Sequence, residues 1–70
     1  MTSKEAKAKS LWYGVTPHIR QLITDSVERG ETYYTLEENK KLSITDQYNL
    51  QELGYYVFYN RAFNSHEIRW

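Results

Sequence analysis

The residues able to do chemistry in this 70-residue chain are few and badly spaced for it. Ser65 and His66 are adjacent, but neighbours along a strand point to opposite faces, so hydroxyl and imidazole diverge. The other histidine, His18, is remote in sequence. Both read as surface or partly buried hydrogen-bonding residues. Glu37 and Glu38 form a carboxylate pair, yet Lys40 and Lys41 follow at once in a polar turn. That pattern suits a solvated loop better than general acid–base work. Cysteine is absent and no serine stands in a G-x-S-x-G turn, so thiol nucleophiles, thiolate metal sites and disulfides are all excluded. Gly14, Gly30 and Gly54 are isolated, with no glycine-rich loop to cradle a phosphate. The reading is a non-enzymatic protein with no catalytic residue, no metal site and no cofactor.

What the chain has in surplus is aromatic surface. "LGYYVFYN", Leu53 to Asn60, places four aromatic residues in eight positions, on both faces of any strand it forms. Aromatic and arginine side chains bind rather than react: they anchor protein–protein contacts and stack on unpaired bases. The candidate contact residues are Trp12 and Tyr13 at a helix end, Tyr33, Tyr56 and Phe58 on a sheet, and Arg61 and Arg69 nearby. Lys4, Lys7 and Lys9 could track phosphates. Formal net charge is zero, however, which argues against bulk attraction to nucleic acid or to a membrane surface. A protein partner or self-association is therefore favoured, with a small nucleotide or single-stranded nucleic acid behind it. Residues 1–30 carry five basic and three acidic side chains and residues 31–70 four and six, an asymmetry compatible with head-to-tail contacts.

The elements that must position these residues are legible from their signals. Thr2 with Glu5 fits a capping box that opens a helix. Thr16 before Pro17 is a second start, and Gly30 a stop. Ala8, Trp12, Val15, Ile19, Leu22 and Ser26 keep one apolar phase through the proline, which predicts a kinked or hinged helical arm. "ETYYTLEE" is a strand, with Thr32, Tyr34 and Leu36 on one face and Tyr33 and Thr35 on the other. Ser43 caps a helix whose first turn carries Asp46, favourable to the helix dipole, and Gly54 ends it. "YYVFYN" and "HEIRW" follow as a terminal hairpin. The order is α-β-α-β-β, an α+β domain whose three-stranded sheet carries its helices on one face.

Seventy residues make one domain, with 1–16 as an arm and 17–70 as the body. A chain this short buries only ~60% of its unfolded surface, so its core is thin and oligomerisation is the natural extra support. Val57, Ile68, Leu36, Leu50, Leu53, Ile19, Leu22 and Ile23 are the expected core. That register leaves Tyr33, Tyr56 and Phe58 on the far face of the sheet beside Glu67 and Arg69, without cover. A slip by one residue would exchange the two sets. No apolar run has transmembrane length and the N-terminus lacks a signal-peptide core, which predicts a cytoplasmic protein.

From Ile19 to Trp70, about three quarters of the chain, the pattern resembles small α+β proteins of tailed bacteriophages. "ITDSVERGETYYTL" gives a helix ending E-x-G before a strand, "LQELGYYVFYN" a helix running into G-Y, and "HEIRW" the closing I-x-W. "LWYGVTP" lies outside the likeness, and no catalytic residue transfers with it. The resemblance implies a phage accessory protein acting in the host cytoplasm as an oligomeric inhibitor or sequestering protein of a host or anti-phage defence component. The alternative it implies is a virion component, such as a decoration protein.

Overall fold

The structure, a computed structural model, describes residues 2–70. The elements run α1 (Ser3–Tyr13), α2 (Pro17–Glu28), β1 (Tyr33–Thr35), α3 (Ile44–Glu52), β2 (Tyr56–Asn60) and β3 (Ser65–Arg69). The sheet is antiparallel throughout, in the order β1-β3-β2. The last strand thus inserts between two that run parallel to each other and are joined through α3, a split β-α-β arrangement. Helices α2 and α3 pack against β1 and β2, while α1 packs onto α3.

The local signals act as their chemistry requires. Thr2 and Glu5 complete their capping box, and Ser43 Oγ accepts the Asp46 amide at 3.1 Å. Both glycine stops close Schellman motifs. Gly30 and Gly54 sit one residue past the caps at φ 78° and 101°, a region costly for a residue with a Cβ. The bonds Glu31 N–H to Ser26 O and Tyr55 N–H to Leu50 O satisfy the last free carbonyls.

The kinked or hinged arm expected across Pro17 is two separate helices, so the order is α-α-β-α-β-β. Two causes act at the break. A residue before proline is pushed out of helical geometry, and Thr16 adopts φ −51°, ψ 131°. In addition, the Thr16 amide and hydroxyl both donate to the Asp46 carboxylate, at 2.9 and 2.7 Å. Asp46, read from sequence as a dipole partner, is therefore a buried latch between the starts of α2 and α3. Gly14 allows the close approach beside it, because a Cβ there would lie 2.6 Å from Asn49 Nδ2. The shared apolar phase persists from Trp12 onward, with Val15, Ile19 and Ser26 buried and Trp12 and Leu22 half-buried, whereas Ala8 is exposed because α1 buries none of its residues.

The buried core is Val15, Ile19, Ile23, Leu36, Leu42, Leu50 and Ile68, with Leu22 and Val57 partly buried against it. Two positions correct the expectation. Leu53 is only half-buried, beside Lys4, Lys7 and Leu11 of α1, because the Schellman turn carries it away from the sheet. Leu42 takes an inner place instead, its amide donating to His66 Nδ1 at 2.9 Å.

Candidate functional site

The strand register decides which aromatic residues lack a partner. Tyr34, Ile68 and Val57 align across the sheet on its helix-covered side. One residue along, Tyr33, Arg69 and Tyr56 form a row on the opposite face, and Thr35, Glu67 and Phe58 form the next. Neither row has a helix over it. Tyr33 is 51%, Tyr56 66% and Phe58 49% exposed, large values for aromatic rings within strands.

This open face is ordered by its own contacts. Tyr56 and Phe58 stack at 6.4 Å between ring centroids, with planes 22° apart. The Arg69 guanidinium lies 5.5 Å from the Phe58 centroid, within cation–π range. Arg69 Nε also donates to Glu67 Oε2, whose partner oxygen accepts from Thr35 Oγ1 at 3.0 Å. The carboxylate, itself held by the threonine, fixes the guanidinium beside the ring. The result is an aromatic platform with one oriented cation, suited to packing or stacking.

The other sequence candidates lie elsewhere. Trp12 stacks on Tyr55 at 6.4 Å, and Tyr55 meets Trp70 edge-on at 6.0 Å, which seals the rim of the core. Burial in that cluster raises the Tyr55 phenol above its usual value. Tyr13 is exposed at the end of α1, with the Arg20 guanidinium 5.1 Å over its ring. Arg61 is exposed in the β2–β3 turn. The structure thus brings together Tyr33, Tyr56, Phe58 and Arg69, and sets Trp12, Tyr13 and Arg61 apart.

Ser65 and His66 do not meet. Ser65 is fully buried and its Oγ has no hydrogen-bond partner. His66 is half-buried with Nδ1 occupied by Leu42, and Tyr59 lies edge-on at 5.8 Å. Burial, reinforced by Lys41, holds its imidazole below the ordinary value of 6.5. Among the described residues no cluster of His, Cys, Asp or Glu is placed to hold a metal ion. No helix among them is long and apolar enough to cross a membrane.

Two further features escaped the sequence reading. A groove of about 300 Å³ between α2 and β1 has Ile19, Leu22 and Leu36 in its wall and Glu37, Lys40 and Lys41 at its rim. The turn that reads as merely solvated thus borders a concavity, for which loop composition carries no signal. On α3, Ile44 and Tyr48 are 85% and 58% exposed. Their spacing of four, out of phase with Leu50, does mark a second helical face.

No family model matches this chain, and neither a curated protein nor a solved structure does.

Proposed function

We propose that this protein acts by binding rather than by catalysis, offering the open face of its sheet to a protein partner. The observation that carries this is the uncovered platform of Tyr33, Tyr56 and Phe58 with Arg69 held against it. Exposed aromatic clusters with an ordered arginine have the composition of interface anchors. The sequence likeness to phage proteins supports reading the partner as a host or anti-phage defence component. The protein would then be an oligomeric inhibitor or sequestering factor in the host cytoplasm. A second reading has its own support: parallel rings flanked by a guanidinium are also what a stacked nucleobase needs.

The test is capture from infected host cells on immobilised protein, with the native mass of the captured complex. Tyr56→Ala and Phe58→Ala should each cut capture by about 30-fold, the loss of an interface anchor. Since their contacts lie on the open face and not in the core, they should leave the fold intact and shift folding stability by no more than about 1 kcal/mol. Capture unchanged in the Tyr33, Tyr56, Phe58 triple alanine variant would overturn the reading. Retention of an oligonucleotide in place of a protein would select the nucleobase reading, and recovery of the chain in purified particles the virion role.

A further inference from the structure

The sheet has two edges, and they are unequal. β1 is three residues long, flanked by Glu31, Glu37 and Glu38. Short strands and nearby charge are the usual protection against edge-to-edge pairing. β2 has neither. Tyr56 to Asn60 is five residues long, without charge or proline, and its pairing with β3 runs through every residue without a bulge.

Backbone direction along β2 follows from its neighbour. The His66 amide donates to Lys40 O and its carbonyl accepts from Leu36 N–H, both on the β1 side. By alternation, Ser65, Glu67 and Arg69 turn their backbone groups toward Asn60, Phe58 and Tyr56. Val57 and Tyr59 therefore direct N–H and C=O away from β3, along the free edge. Among the described residues no group bonds to them. The Tyr55 amide is already used by Leu50 O, so the open stretch is bounded on that side.

We propose that β2 is a homodimerisation edge, pairing antiparallel with β2 of a second copy so that two sheets become one continuous sheet. A two-fold centred on Phe58 sets Val57 opposite Tyr59 of the partner copy, and Tyr59 opposite its Val57. The N–H and C=O of Val57 and Tyr59 then all find partners, whereas centring on Val57 would need the Tyr55 amide that Leu50 already holds. Phe58 faces Phe58 of the second copy as a non-hydrogen-bonded pair, with Cα atoms about 4.5 Å apart. Aromatic cross-strand pairs stabilise such contacts. The axis runs perpendicular to the sheet, so both open faces look the same way and the two Tyr56–Phe58 stacks merge into one surface. The inference deepens the binding reading by identifying its oligomer.

The full chain at about 1 μM to about 1 mM in sedimentation velocity should shift from the mass of one chain to that of two, as expected for a weak edge contact. Phe58→Lys, which opposes like charges across the axis, should remain folded by circular dichroism and stay a single chain throughout. The protein contains no cysteine, so Phe58→Cys reports on one position cleanly. Under mild oxidation it should form a disulfide dimer at least tenfold faster than Tyr48→Cys on α3 or Tyr56→Cys, whose opposite residue is Asn60. A single-chain mass at every concentration, or cross-linking at 58 no faster than at 48, would overturn the pairing. A single chain that still captures its partner through the open face overturns only the dimer. A dimer cross-linked at 58 whose alanine variants capture normally supports the pairing and removes the binding reading.

Discussion

His66 shows how one side chain can tie a pH response to the fold. Its Nδ1 must be unprotonated to accept the Leu42 amide, and burial and Lys41 both favour that neutral form. With the folded pKa below the unfolded value of 6.5, the unfolded chain binds the proton more readily. The contribution of His66 is thus complete above about pH 6.5 and is lost as pH falls below it toward the lower folded value. Thermal melts between about pH 7.5 and pH 5 should show the melting temperature falling over that interval. His66→Phe, less stable at neutral pH, should lack this part of the slope. A wild-type melting temperature constant across the interval would contradict the assignment. The histidine was legible in sequence as a hydrogen-bonding residue, but its partner, 24 positions away, was not. That partner is set by where the loop before α3 crosses β3.

Among the elements, the break between α1 and α2 depends on a residue in a third helix. Proline alone tolerates either a kink or a full stop; the Asp46 carboxylate selects the stop by taking the Thr16 amide and hydroxyl together. Removing a buried, charged acceptor of two bonds costs more than removing one neutral donor. Asp46→Ala should lower stability by about 2–3 kcal/mol in urea denaturation, and Thr16→Val by about 1 kcal/mol. The double variant should fall short of their sum, since the residues share the interaction. Full additivity would mean that the latch is not the cause. Caps, stops and face alternation were readable here because each spans a few residues. The latch joins positions 30 apart and leaves no local trace.

At the scale of the whole molecule, α1 is the weakest part. None of its eleven residues is buried, and it rests on α3, with half-buried Leu11 beside Glu52 and Leu53 and half-buried Trp12 against Tyr55. Isolated helices shorter than ~12–15 residues are marginal in water, so α1 needs that contact to persist. Hydrogen exchange should therefore release the amides of α1 before those of α2, whose inner face supplies Ile19, Ile23 and Ser26. Equal protection of the two helices would show that α1 is held as firmly as the body.

The sequence by itself determined the element types, their caps and the two faces of each strand, because those follow from periods of two and 3.6. Pairing Val57 with Ile68 was enough to leave Tyr33, Tyr56 and Phe58 outside. Only the tertiary structure decided that β3 lies between β1 and β2, that Leu42 replaces Leu53 in the core, and that Trp12 closes on Tyr55. Strand order and helix docking are chosen by contacts between distant segments, where total burial decides among arrangements that satisfy every local signal equally. The platform on the sheet could be foreseen from alternation. The free edge of β2 could not, since an edge exists only once the order of strands is settled.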